Sequence, residues 1–222
     1  MASTVETLGL FCQGLVLMEI PDLTCQDTTI LTPREQSRAS RMGLKRKREF
    51  LAARLALKKL ARRLDPAGPE VKASTIETLA EDGIKPALSV DGRKIDLYVS
   101  VAHDRRFVVA AAGYHPLGVD VEEASDKVIR GESAFTSDRE RKLIETSGLP
   151  RVRAATRVWT LKEAAAKALG LNLFESFRSV EVIVLGEDES RADYMGRTLI
   201  CRHSEIDPHV FSLLTAPDLM GN

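Results

Sequence analysis

The sequence predicts an α+β fold made of two similar halves that join near residue 115. Three observations predict this fold. An order of one strand, two helices and then a run of three or four strands occurs twice, a His115-Pro116 turn lies between the two occurrences, and no long linker or low-complexity tract separates them. No sequence identity between the halves supports a repeat, so the duplication is inferred from element order alone. The predicted halves are residues 1–115 and 116–222.

The first half begins with an apolar strand from Leu8 to Met18. Thr32 as N-cap, Pro33 in the first helical position and Glu35 three residues after the cap predict the start of a helix. A second helix is predicted from about Lys47 to Leu64, because its apolar residues recur every three or four positions. The remaining strands of this half are predicted at Ile76–Leu79, Leu88–Val90, Leu97–Val101 and Phe107–Tyr114.

The second half begins with a strand from Leu117 to Val121. A second capping box, from Ser137 to Glu140, predicts a helix that continues to about Thr146. A long helix is predicted from about Val152 to Leu169, with Gly170 at its C-cap. The rest is predicted as the strands Ser179–Leu185, Thr198–Arg202 and Val210–Leu214, with an acidic turn from Gly186 to Asp193.

Composition excludes several classes of protein. The chain has 222 residues, 44% hydrophobic and 29% charged, which excludes a disordered or fibrous chain. The 32 basic and 32 acidic side chains give no net charge, which argues against a surface devoted to nucleic acid. Three cysteines, without metal-ligand or redox spacing, indicate a reducing compartment. The apolar stretch Leu8–Ile20 follows no basic residue and is too short to span a bilayer, so we expect a cytoplasmic protein without a membrane segment.

Two pairs of charged residues are candidates for catalytic or metal-binding roles. Asp120 and Glu122 lie two residues apart on a strand, so they share a face; an exposed acidic strand face is the common alternative. Glu163 and Lys167 share a face of the long helix, where a routine surface ion pair is the common alternative. If Glu163 approaches Asp120 and Glu122, three oxygen ligands converge on a Mg²⁺ site, with Mn²⁺ also compatible.

Two motifs at this separation resemble a known family. Gly118-Val119-Asp120-Val121-Glu122, followed about forty residues later by Trp159-Thr160-Leu161-Lys162-Glu163-Ala164-Ala165-Ala166-Lys167, is similar to the signature of the Sfp-type 4′-phosphopantetheinyl transferases. Further similarities lie at Lys85-Pro86, Ser100-Val101-Ala102-His103 and Phe135-Thr136-Ser137, so the resemblance covers about residues 30–185.

The resemblance implies a fold, an activity and partners. The fold is α+β, with two pseudo-duplicated halves packed around a coenzyme A cleft. The activity is that of a holo-[acyl-carrier-protein] synthase. Such an enzyme moves the 4′-phosphopantetheine arm of coenzyme A to a serine of an apo acyl or peptidyl carrier protein. The reaction depends on Mg²⁺ and releases adenosine 3′,5′-bisphosphate. A pseudo-duplicated chain would be self-sufficient as a monomer.

The resemblance also implies roles for single residues. Asp120, Glu122 and Glu163 match the metal ligands, and Glu163 is the candidate base. The implied coenzyme-binding residues are Lys85, His103, Lys162, Lys167 and one of Arg54 and Lys58, a choice that the resemblance leaves open. Three departures concern detail of coenzyme binding: Ala102 replaces a family serine, Ile84 interrupts the Gly-Lys-Pro pattern, and Glu140 lies one residue further from Phe135 than is common.

The segment from Arg34 to Arg63 is strongly basic, with 12 Lys or Arg and two acids. Most of these residues fit an ordinary solvated helix face. Those from Arg38 to Arg48 could steer an acidic carrier protein. A nucleic-acid-binding module is a weaker alternative, because aromatic residues make up only 5% of the chain and no nucleic-acid motif is present. A homologue that binds coenzyme A without transferring its arm is the other alternative, suggested by Ala102.

Overall fold

The computed structural model describes residues 8–20, 27–65, 70–81 and 85–217. The chain forms two compact units. We call Cys12–Tyr114 the N-terminal unit, and His115–Asn222 together with the stretch that ends at Phe11 the C-terminal unit. Helices and strands occur in both units, so the predicted α+β class is confirmed. None of the described helices is both long enough and apolar enough to cross a membrane.

The N-terminal unit combines two antiparallel three-stranded sheets with two helices. One sheet has the order β1-β6-β5 and the other β2-β3-β4. Leu57 and Leu60 of the long helix α2 are fully buried and pack with residues of both sheets, as the apolar spacing predicts. The elements are β1 (Gly14–Glu19), α1 (Pro33–Ala39), α2 (Leu44–Leu64), β2 (Ile76–Leu79), β3 (Pro86–Val90), β4 (Arg93–Ile95), β5 (Tyr98–His103) and β6 (Phe107–Gly113).

The C-terminal unit is one antiparallel five-stranded sheet, of order β7-β11-β10-β9-β8, with the long helix α5 packed against β7 and β11. Its core includes Val158, Leu161 and Ala165 of α5. The elements are β7 (Leu117–Glu123), α3 (Asp126–Phe135), α4 (Asp138–Thr146), α5 (Arg151–Leu169), α6 (Leu173–Ser179), β8 (Val180–Val184), β9 (Glu189–Tyr194), β10 (Arg197–Ile206) and β11 (His209–Thr215).

Local signals placed the helix ends well. The Thr32–Glu35 and Ser137–Glu140 capping boxes are both formed, with each side chain accepting from the other residue's backbone N–H. Gly170 ends α5 in the left-handed conformation, at φ 69° and ψ 24°. Cys12 and Cys201 are free thiols, while Cys25 lies outside the described residues, as does Ile84.

Several predicted elements need correction. The first strand begins at Gly14 rather than Leu8, because Gly9–Phe11 forms a 3₁₀ turn. Helix α2 begins at Leu44, three residues before the predicted start, since its first turn is charged and carries no apolar spacing. The predicted acidic turn at Gly186–Asp193 is wrong over its second part, where Glu189–Tyr194 is strand β9. Helices α3 and α6 and the three-residue strand β4 were not predicted.

Equivalent contacts occur in the two units at a constant distance along the chain. A Cβ on Gly14 would meet side chains of Leu60 and Leu64, and a Cβ on Gly118 would meet the backbone of Ala164 and Ala168. Each residue of the first set lies 104 positions before its counterpart in the second. The contacts therefore support the duplication that element order predicted, although the side chains differ.

A row of buried polar side chains crosses the C-terminal sheet beneath α5. His203 Nδ1 lies 2.9 Å from Ser212 Oγ, and His203 Nε2 lies 2.8 Å from Ser190 Oγ. Ser212 Oγ is also 2.7 Å from Thr160 Oγ1 of α5, and Ser212 is the register partner of Asp120 on β7. Burial, and secondly the charge of Arg157, lower the pKa of His203 to about 3.

This buried histidine predicts a loss of stability in mild acid. The neutral ring is favoured in the folded chain, while in the unfolded chain the imidazole takes up a proton below its ordinary pKa of 6.5. Stability should therefore be complete above pH 6.5 and fall as the pH drops towards 3, by about 1.4 kcal/mol per pH unit from this group. Urea unfolding at pH 7 and pH 5 measures the fall. In His203→Asn, the fall between these pH values should be smaller by about 2 kcal/mol, and an equal fall in both proteins would contradict the assignment.

Candidate active site

The candidate site lies where β7 passes beneath α5. Asp120 is buried on β7, and Glu122, two residues on, is half-buried. Helix α5 comes unusually close to the strand because residue 118 is glycine: a Cβ there would lie 1.9 Å from the carbonyl oxygen of Ala164. The close approach brings the α5 face that carries Glu163 and Lys167 over Asp120.

Lys167 joins the helix to the strand. Its Nζ donates to Asp120 Oδ1 at 2.7 Å and to the carbonyl oxygen of Val119 at 2.9 Å. The ion pair is partly buried, since the Lys167 side chain is 32% exposed and that of Asp120 is 6% exposed. The Glu163–Lys167 surface pair that helical spacing allowed is thus replaced by a contact between Lys167 and the strand carboxylate.

Asp120 and Glu163 form a coupled pair of carboxyls. Burial raises the pKa of Asp120, and the charge of Lys167 opposes this shift. Burial, and secondly the negative charge of Asp120, raise the pKa of Glu163 to about 8. Glu122 raises it further by its charge. The two carboxyls are close enough for the charge of one to disfavour ionisation of the other.

The C-terminal part of the chain is similar to a known protein family. Residues 116–213 match the model of the 4′-phosphopantetheinyl transferase superfamily, and this range contains Asp120, Glu122, Glu163 and Lys167. The match covers 98 of the 222 residues, so the similarity concerns the C-terminal part of the chain. This match supports the family that the two sequence motifs indicated.

Two individual proteins also resemble the chain. It is 28% identical over 80 residues to the 4′-phosphopantetheinyl transferase gsp of Aneurinibacillus migulanus, a match over 36% of this chain and about a third (34%) of that relative's length. The crystal structure of Thermotoga maritima holo-[acyl-carrier-protein] synthase covers 61% of this chain and 90% of its own, at 24% identity and a TM-score of 0.36.

The divalent metal ion that the sequence resemblance implies fits two of the carboxylates present. Asp120 Oδ2 is buried and has no hydrogen-bond partner within the described residues, so it is an acceptor in need of a cation or proton. The adjacent Glu163 supplies a second hard oxygen donor, and both fit Mg²⁺. Among the described residues, however, no three His, Cys, Asp or Glu side chains stand together as a ready ligand set. The three-carboxylate site therefore stays a prediction, and the structure brings together two of its members.

The coenzyme-binding residues predicted from the transferase motifs fall into two groups. Lys85 and His103 are exposed, so a phosphate can reach them. Arg54 is 7% exposed and donates to the carbonyl oxygen (2.9 Å) and Oγ1 (3.0 Å) of Thr78. Burial, which outweighs the charge of Glu35, lowers the pKa of Arg54 to about 10. The Arg54 guanidinium is thus already hydrogen-bonded inside the N-terminal unit. A contact between Arg54 and coenzyme A stays a prediction, and the burial of the side chain disfavours it.

Lys58 and Lys162 are each 1% exposed, and each ammonium group is enclosed by protein acceptors. Lys58 pairs with Glu35 at 2.8 Å and also donates to the carbonyls of Ala73 and Ile76. Lys162 pairs with Glu140 at 2.8 Å. The structure therefore favours an internal role for both lysines over the predicted contact with coenzyme phosphates. The sequence did not indicate that Glu35 and Glu140 pair with these lysines, because the capping-box pattern already explained why a glutamate stands at each position.

Proposed function

We propose that the protein transfers the 4′-phosphopantetheine arm of coenzyme A to a serine hydroxyl of an apo acyl or peptidyl carrier protein, releasing adenosine 3′,5′-bisphosphate. The observation that carries the proposal is the Asp120–Glu163–Lys167 cluster, which lies inside the range that matches the transferase superfamily. Free thiols at Cys12 and Cys201 are compatible with action in the cytoplasm, and one chain carrying the whole cluster is compatible with a monomer.

The cluster suits a reaction at a pyrophosphate. Asp120 and Glu163 would hold Mg²⁺ or Mn²⁺, and Glu122, whose charge acts on Glu163, is the proposed third ligand. When bound, such a cation supplies positive charge to the phosphoryl oxygens, where negative charge develops during transfer. Lys167 offers a second positive charge at the same place and reaches it from a rigid helix. Glu163 is the proposed acceptor of the serine proton, because it is the helix carboxyl that lies nearest to Asp120 and Lys167.

The direct test is an assay of transfer. The purified protein, Mg²⁺ and coenzyme A are incubated with a panel of apo carrier proteins, and intact-mass spectrometry measures the carriers. We expect the mass of the arm to appear on a carrier serine, and to be absent when that serine is alanine. Calorimetric binding of coenzyme A without modification of any carrier would favour the homologue that binds but does not transfer.

The exposed basic side chains at the start of α2 predict how a carrier associates. Arg41 and Lys45 are exposed, and carriers with an acidic surface would be drawn to them. Lys45→Glu should slow association by about tenfold at low salt and flatten its salt dependence, with coenzyme affinity unchanged. Stopped-flow association measures this. Lys72→Glu, an exposed lysine of the same unit outside the segment, is the control, and an equal slowing in both variants would refute the steering role.

A further inference from the structure

A buried ion pair lies next to the candidate site and is not used by the proposed chemistry. Lys162 Nζ and Glu140 Oε2 are 2.8 Å apart, and the two side chains are 1% and 0% exposed. Lys162 also donates to the carbonyl oxygens of Phe135 at 2.8 Å and Phe177 at 3.2 Å. The ammonium group therefore has three acceptors and no room for an external ligand.

Glu140 also hydrogen-bonds to the backbone of other elements of the C-terminal unit. Glu140 Oε2 accepts from the backbone N–H of Ser137 at 2.8 Å, and Oε1 accepts from that of Val182 at 2.8 Å. Ser176 Oγ on α6 donates to the carbonyl oxygen of Lys162 at 2.6 Å. Helix α5 is thus bound at residue 162 to α3, α4, α6 and β8 through hydrogen bonds shielded from water.

Fixing residue 162 also fixes the direction of residue 163. Successive side chains on an α-helix point about 100° apart, so the anchored Lys162 determines the rotation of α5 about its own axis at this turn. That rotation directs Glu163 towards Asp120 and, one turn later, Lys167 to the same carboxylate. A rotation of α5 would separate these groups even if the helix remained intact.

The N-terminal unit carries the same ion pair without the carboxylates. Glu35 Oε2 pairs with Lys58, Thr32 N donates to Glu35 Oε2 at 3.0 Å, and Thr78 N donates to Glu35 Oε1 at 3.1 Å. Lys58 precedes Lys162 by 104 positions, and the residue after it is Lys59 rather than a glutamate. The duplication therefore supplies a matched pair of equal burial that has no catalytic carboxyl beside it.

We propose that Glu140 and Lys162 are positioning residues: their buried ion pair sets the rotation of α5 that brings Glu163 and Lys167 onto Asp120. This inference rests on the proposed transfer activity, and it replaces coenzyme contact with an internal role for Lys162. The Glu35–Lys58 ion pair fixes α2 in the same way in the N-terminal unit, where it contributes to stability but positions no catalytic carboxyl.

The test compares Glu140→Gln with Glu35→Gln. Each change keeps size and removes one buried charge, so both variants should unfold at lower urea concentration than the parent. Assayed where both are folded, Glu140→Gln should lower kcat by about tenfold or more, with the KM for coenzyme A within about threefold. Glu35→Gln should keep kcat within about twofold of the parent. If the glutamine variants do not fold, Glu140→Asp and Glu35→Asp replace them.

The fluorescence emission of Trp159, the only tryptophan of the sequence, reports on the surroundings of α5 without requiring enzyme turnover. Trp159 lies on α5, with its ring centroid 5.0 Å from that of Phe135 and 5.3 Å from that of Phe177. A rotation of α5 should shift its emission in Glu140→Gln and leave it unchanged in Glu35→Gln. Equal losses of kcat in the two variants, or unchanged emission in Glu140→Gln, would overturn the positioning role. A parent that modifies no carrier would refute the proposed function instead, and the emission comparison would still decide this inference.

Discussion

Gly118→Ala is expected to disable the site without altering any charged group. The new Cβ would lie 1.9 Å from the carbonyl oxygen of Ala164, 2.7 Å from its carbonyl carbon and 3.0 Å from the backbone N of Ala168. These are backbone atoms of α5, so no side-chain rotation can relieve the clash, and the helix must move away from β7. A displacement of about 1 Å between reacting groups can lower a rate about a hundredfold, and overpacking costs about 1–3 kcal/mol of stability.

The measurements are carrier modification and urea unfolding, with Gly131→Ala as the matched control. Gly131 is a helical glycine of α3, and a Cβ there would meet no atom within 4 Å. Alanine at 131 should leave transfer unchanged and raise stability by up to about 1 kcal/mol, because alanine is the better helix former. Wild-type activity in Gly118→Ala would show that the close approach of α5 is not needed.

Asp120→Asn is expected to abolish most of the activity while leaving the fold intact. The amide keeps the shape of the carboxyl but removes the charge that pairs with Lys167 and that would hold a divalent cation. Transfer should fall by about 10²- to 10³-fold, the loss typical of removing one electrostatic contact to a developing charge. Stability should change by less than about 1 kcal/mol, because the partner Lys167 is 32% exposed and burial already disfavours the ionised form of Asp120.

A second readout separates this effect from a general disturbance of β7. Loss of the Asp120 charge should lower the pKa of Glu163, since that charge is the second largest cause of its elevation. The lower edge of the pH–rate profile should then move to lower pH in the residual activity. Glu123→Gln, on the same strand but pointing to its other side, is the control and should keep wild-type transfer. Equal losses in both variants would remove Asp120 from the mechanism.

The sequence predicted those features whose physical cause is local. The two capping boxes and the C-cap at Gly170 need only a few neighbouring residues, and all three are formed. Strand β9 was hidden because its charged residues alternate with the buried Ser190 and Ala192, so that acidic composition concealed a period of two. Helix α3 was hidden by its few apolar positions and by a glycine in its interior.

The candidate site was predicted only in part, since its groups are distant in sequence. Periodicity alone favoured an ordinary surface pair for Glu163 and Lys167, and the family resemblance was needed to direct both towards β7. Neither source indicated that Lys58 and Lys162 would be enclosed. Their partners Glu35 and Glu140 lie 23 and 22 residues earlier in the chain, and a lysine on a charged helix looks solvated until those distant contacts form.

The duplicated contacts also have an evolutionary consequence. Arg63 donates to the carbonyl oxygen of Leu15 at 2.7 Å, as Lys167 does to that of Val119, and each pair of counterparts is again 104 positions apart. Where Asp120 lies in the later copy, the earlier copy has the buried Val16. The cation that bridges helix and strand thus occurs in both copies, and the acid in one. A descent from a single ancestral unit would mean that the helix–strand scaffold existed before the later copy had its carboxylates, since Val16 and Lys59 stand where that copy has Asp120 and Glu163.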